Sequence, residues 1–145
     1  MKKFIVLTAV FFMGVFFAQE PIKNLSKEDI PIEVANLVDI STVTFMIDTK
    51  PSFPGGMSAF RKEFSQNFDT SALEKTDGGT LKTVVYYVVE VDGSILYVKA
   101  IGENESFNKE AERALKSIKT KYAPAKVNNL VVRHILRMPL SMNFK

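Results

Sequence analysis

The chain has 145 residues, 46% of them apolar, and a formal charge of +3. That length suffices for one domain with a modest core, and without Lys2 and Lys3 the charge falls to +1, too little to direct the chain to nucleic acid or anionic lipid. Cysteine is absent, which excludes disulfides, thiolate metal sites, a cysteine nucleophile and a lipidated amino-terminal cysteine.

Lys2 and Lys3 precede an apolar run over residues 4–17, broken only by Thr8 and Gly14, and Ala18 stands before the polar Gln19, Glu20 and Pro21. A basic start, an apolar middle and a small residue at the end make the three-part pattern of a secretory signal. The run is shorter than the roughly 20 apolar residues of a permanent span. Cleavage near Ala18 is therefore expected, although Phe16 stands where the small-x-small rule asks for a small side chain. The expected organisation is a signal peptide over 1–18, a lead-in over 19–50 and a domain over 51–145, located in the periplasm. An uncleaved form anchored in the inner membrane and facing the periplasm is the alternative.

Residues 21–50 alternate short apolar pieces with proline and acidic residues, and only 41–47 (STVTFMI) has the β-branched and aromatic density of a strand. The segment reads as irregular with one short strand. In Pro51-Ser52-Phe53-Pro54-Gly55-Gly56 the prolines fix φ and the glycines admit conformations closed to other residues, which predicts a rigid turn. Met57, Phe60, Phe64 and Phe68 then recur at spacings of three and four, predicting a helix over 57–67 with one face in the core. Asp77-Gly78-Gly79 breaks the chain before the period changes.

Residues 80–91 (TLKTVVYYVVEV) and 94–101 (SILYVKAI) flank Asp92-Gly93, a strand, two-residue turn and strand. A second helix is expected over 107–119, because Phe107, Ala111, Ala114, Leu115 and Ile118 share a stripe; Ser106 is its expected N-cap. Tyr122-Ala123-Pro124-Ala125 ends that helix, and Asn128-Asn129 suits a left-handed turn. In the last strand Val132, His134, Leu136, Met138, Leu140, Met142 and Phe144 share the parity assigned to the core, whereas Arg133, Arg137, Ser141 and Asn143 take the outward one. The fold class expected is α+β, a small three-stranded antiparallel sheet packed against two helices, with an amino-terminal extension.

Six pieces in this order resemble the TonB carboxy-terminal domain, especially the form common in Bacteroidetes: Pro51 to Gly56, a helix, Val88-Val89-Glu90-Val91-Asp92-Gly93-Ser94-Ile95, Glu110-Ala111 in a helix, Tyr122-Ala123-Pro124-Ala125, and Met138-Pro139-Leu140-Ser141-Met142-Asn143-Phe144. The likeness covers residues 51–144. It implies a periplasmic domain that grips outer-membrane receptors by adding an extended receptor segment to a sheet edge, where backbone groups supply affinity and alternate side chains supply selectivity. The edge implied here is the last strand, over 130–137, with Val131, Arg133, Ile135 and Arg137 as partner-binding residues. The implied partner is a TonB-dependent outer-membrane receptor or another envelope protein, with a second copy of the chain as a further candidate.

Two features depart from the family. The Tyr-Pro-x-x-Ala element after the first helix is replaced by Phe68-Asp69-Thr70-Ser71-Ala72, and Asn128 or Asn129 replaces the glycine before the last strand. Residues 19–50, at roughly 3.4 Å per residue, span about 110 Å at most and hold only Pro21 and Pro31, so they make no stiff proline-rich spacer. A free-standing binding module is therefore favoured over an energy transducer anchored in the membrane.

Catalysis has no candidate constellation. His134 is the sole histidine, which rules out a multi-histidine metal site, and mid-strand it reads as a hydrogen-bonded packing residue; a small hydrolase built around it is the weakest reading. Glu103 and Glu105 read as a solvated loop before a helix, and the Gly-Gly pairs lack the residues of a phosphate loop. No cofactor, metal or nucleic acid is expected. Arg133 and Arg137 are read as contacts for an acidic partner or as charges that keep an exposed edge from aggregating.

Overall fold

The computed structural model describes residues 15–17, 24–74 and 78–144. In chain order these form β1 (Val15–Phe17), a 3-10 turn (Lys27–Asp29), α1 (Ile32–Ala35), a second 3-10 turn (Ile40–Thr42), α2 (Gly56–Asn67) and a third 3-10 turn (Thr70–Ala72). There follow β2 (Gly79–Val89), β3 (Ile95–Gly102), α3 (Glu105–Lys116), β4 (Ala125–Val127), β5 (Leu130–Val132) and β6 (His134–Phe144). The main sheet has the order β1, β6, β2, β3 with every pair antiparallel, and β4 and β5 form a separate hairpin. The sheet is thus three long strands with helices packed on it, as the sequence led one to expect, and β1 adds three residues at its edge.

β2 is the central strand, paired with β6 from Gly79↔Phe144 to Val89↔His134 and with β3 on its other side. Its side chains alternate between two cores: Val85, Tyr87 and Val89 enter one, while Tyr86 and Val88 enter the other. The unbroken run Val84 to Val89 carries that information, because a strand buried on both faces needs no polar alternation. The hairpin to β3 turns through a type I pattern rather than a two-residue loop: Gly93 N donates to Glu90 O at 2.9 Å, Glu90 N donates to Ser94 O at 2.9 Å, and Gly93 takes φ +84°.

The first core lies between the sheet and the two long helices. Phe60 and Phe64 of α2 and Phe107, Ala111, Ala114 and Leu115 of α3 are fully buried there with Met138, Leu140 and Met142 of β6. Phe53, Phe60 and Tyr122 form an edge-on aromatic cluster, with centroids 5.4 Å apart for Phe53 and Phe60 and 5.2 Å for Phe53 and Tyr122. Such pairs are worth about 0.5–1.5 kcal/mol each beyond the area they bury. The turn before α2 uses its glycines as expected: Gly55 and Gly56 both have positive φ, and Gly56 N bonds to Phe53 O at 2.8 Å. α3 starts earlier than its apolar stripe suggested, and its N-cap is Asn104, which accepts from Phe107 N at 2.8 Å; Ser106 sits inside the first turn and accepts from Glu74 N at 3.0 Å.

The second core corrects the reading of the lead-in. Val34, Val38 and Val43 are buried against Tyr86, Val88 and Ile135, with Leu25, Ile30, Ile40 and Phe45 packed around them. Residues 24–50 therefore cover the face of the sheet that the helices leave open. No strand forms over 41–47: Ser41 and Thr42 belong to a 3-10 turn started by Asp39, whose carboxylate accepts from Ser41 N at 3.0 Å and Ser41 Oγ at 2.6 Å. The same Asp-x-Ser device recurs at Asp69 with Ser71 and at Asp92 with Ser94. Backbone bonds then lace the segment down: Asp48 N and Thr49 N to Lys126 O at 2.9 and 3.1 Å, and Ser52 N to Ala123 O at 3.0 Å.

Candidate partner-binding edge

β6 lies between β2 and β1 in the sheet, and its outer side is the one turned away from β2. Two observations fix which of its residues turn their backbone groups that way. Arg133 O, just before the strand, accepts a hydrogen bond from Thr44 N at 2.9 Å, and Thr44 lies outside the β2 pairing. Pro139, opposite Val84, has no amide hydrogen to give to β2, and a proline is accommodated in a sheet where its nitrogen faces away from the ladder. Both residues are odd-numbered. With period-two geometry, Ile135, Arg137 and Ser141 also aim their N–H and C=O groups outward.

The outer side is met at both ends. At the start, the lead-in contributes the Thr44 bond, and His134 Nδ1 lies 2.7 Å from Thr44 O, a geometry that makes the ring the donor. Near the far end, β1 pairs antiparallel with Val15 opposite Met142, Phe16 opposite Ser141 and Phe17 opposite Leu140. β1 spans three of the eleven residues of β6.

The four residues expected to bind a partner are not one outward stripe. Val131 lies in β5, not in the last strand, and pairs with Lys126 across the small hairpin. The break follows from the Asn128-Asn129 turn, where both residues take positive φ and fold β5 back on β4 before the chain enters β6. The Arg133 side chain does not face solvent: Nε donates to both carboxylate oxygens of Glu90 at 2.9 Å, the guanidinium contacts Thr42 Oγ1, and its carbon stands 5.4 Å from the Tyr97 ring centroid. Ile135 is fully buried in the second core. Of the four, Val131 in β5 and Arg137 in β6 are exposed, whereas Arg133 and Ile135 are not. What Arg133, Ile135 and Arg137 share is an outward backbone, so a partner would be read there through main-chain bonds.

His134 is half-buried, and burial, with a smaller contribution from the Lys50 charge, pulls its pKa below the ordinary histidine value. A neutral ring hydrogen-bonded to Thr44 agrees with a packing role. Among the described residues no group of three or more His, Asp or Glu side chains is placed to hold a metal ion. A shallow cleft of about 300 Å3 is lined by Ala72, Glu74, Glu105, Ser106, Lys109, Glu110 and Arg113. Glu110, given no site role in the sequence, is buried beneath it and accepts from Asp69 N at 2.7 Å and Arg113 Nε at 2.8 Å. It ties the loop after α2 to α3, and its burial corrects its assignment to the polar side of that helix: three residues after Phe107 and four before Ala114, it lies on the buried side.

No helix among the described residues is long and apolar enough to cross a membrane; the expected signal peptide falls almost wholly outside those residues, apart from β1. In comparisons with known proteins the chain matches no family model, no curated protein and no solved structure.

Proposed function

We propose that this chain is an envelope protein that binds a partner by strand addition at the outer side of β6, the partner being an extended segment of an outer-membrane receptor or of another exported protein. The observation that carries the reading is the β1 pairing: a short extended piece from elsewhere in the sequence already forms an antiparallel ladder with Leu140, Ser141 and Met142. The side of β6 that forms one added ladder turns its main-chain donors and acceptors outward in the way that strand addition uses. The resemblance of residues 51–144 to the TonB carboxy-terminal domain supports the same mode and an outer-membrane transport context. The basic and apolar amino terminus supports export to the periplasm.

Arg137→Pro tests the reading. The substitution removes an outward amide in the same parity as the natural Pro139, so the ladder to β2 is kept. Capture of partners from envelope extract should be lost for R137P and retained for Arg137→Ala. Equal capture by two folded variants argues against strand addition at this edge. A mass measurement of the native protein tests export, with a start near Gln19 expected and an intact Met1 contrary to it.

A further inference from the structure

β1 belongs to the segment whose sequence reads as an export signal, yet it is the strand that occupies the β6 edge. We propose that Val15–Phe17 acts as an internal plug: a chain that keeps these residues has its edge closed over Leu140–Met142, and a chain that loses them has it open. This rests on the strand-addition reading and adds its regulation.

Register supports the assignment. Phe16 stands opposite Ser141, and Ser141 shares the outward parity of Arg133 and Pro139, so Phe16 and Ser141 form the closely spaced pair that exchanges both main-chain bonds. Val15 and Phe17, opposite Met142 and Leu140, form the flanking wide pairs, whose own amides point away from β6. Any competing segment must set its backbone against Ser141 in the same way, so plug and partner exclude one another. Only three residues hold the plug, and so short a ladder is weak enough to be displaced or removed without unfolding β2 and β6, which pair over eleven positions.

The test uses the full-length chain. Phe16→Pro removes the amide that bonds to Ser141 and puts a ring in its place, whereas Val15→Pro alters an amide on the far side and is the matched control. Amide hydrogen exchange at Ser141 should quicken about tenfold or more in F16P and stay at the wild-type rate in V15P, with Val88 protected in all three. A labelled peptide of residues 14–18, made soluble with flanking lysines, should bind F16P about tenfold or more tightly than it binds wild type, because the wild-type edge is competent only in the fraction of molecules with the plug released. Should F16P lose protection at Val88 as well, Ser141→Pro breaks the same pair from β6, and the Phe16 amide should then exchange faster. Ser141 exchange unchanged in folded F16P, Phe16 exchange unchanged in S141P, or peptide binding no tighter to F16P than to wild type overturns the plug. Those results leave the R137P test untouched, so failure of the plug is distinguishable from failure of the edge itself.

Discussion

Thr44 and Arg133 are joined by a single backbone hydrogen bond, Thr44 N to Arg133 O at 2.9 Å, across 89 positions of sequence. That bond stitches the lead-in to the start of β6, where a segment that reads as irregular covers the sheet's second face. Ile135 is buried as a result.

The second core should therefore contribute to global stability and not only to local order. Ile135→Ala is expected to cost about 2–5 kcal/mol in urea unfolding, the range for removing a buried aliphatic side chain. Val34→Ala, on the lead-in side of the same core, should destabilise in the same single transition. A lead-in that melts separately would show two transitions, or no change in the midpoint for V34A.

Gly93 is held where no side chain fits. Its φ is +84°, and a Cβ there would lie 2.0 Å from Tyr122 O, which is the backbone carbonyl of the residue whose amide bonds to Gly93 O at 2.9 Å. Gly93→Ala should destabilise by about 2–4 kcal/mol, combining left-handed strain with a steric clash. The loss should appear as a lower midpoint of thermal unfolding, whereas Asp92→Ala, at an exposed turn position, should have a much smaller effect.

His134 makes stability depend on pH in a defined direction. Burial lowers its pKa in the folded protein, so below the ordinary value of 6.5 the unfolded chain takes up the proton first. Stability is complete above pH 6.5 and is lost as the pH falls from there toward the folded-state pKa. Asp39, Asp69 and Asp92, whose pKa values are depressed mainly by their serine partners, act only at lower pH, from near 3.8 downward. His134→Gln should flatten the melting temperature between pH 7 and the onset of the carboxylate region, and a slope equal to wild type would mean that His134 is not its source.

At the alkaline end the buried phenols act in the opposite sense. Tyr87 and Tyr122 share a hydrogen bond of 3.0 Å between their hydroxyls, and burial pushes the Tyr122 pKa up to about 12. The unfolded chain loses its phenol protons near 10, so stability is kept below pH 10 and declines as pH rises toward 12. Ultraviolet titration of the folded protein should show the amplitude of late phenolate formation reduced in Tyr122→Phe, with the buried Tyr87 still titrating late; the variant also leaves the Tyr87 hydroxyl unpaired at a cost of about 1–3 kcal/mol.

The helices, the hairpin and the first core were legible in the chain because each follows from spacing over a few residues: Phe60 with Phe64, Ala111 with Leu115, and glycines where the backbone must turn. The second core was not, since Val34, Val38 and Val43 carry no regular period and only their meeting with Tyr86, Val88 and Ile135 makes them a layer. The proposed binding edge was half legible. Parity marked Arg133, Ile135 and Arg137 as equivalent, but parity is silent about which equivalent side chain finds a partner, and Glu90, Tyr97 and the lead-in claimed two of them.

Local chemistry alone set the order of elements, the turns and the apolar faces, because backbone propensity and side-chain period act between near neighbours. Which strand became an edge, what lay across its far side and that Val15–Phe17 came to rest there were decided only when distant segments packed, since hydrogen-bond pairing between strands depends on where the chain returns and not on what any one stretch contains.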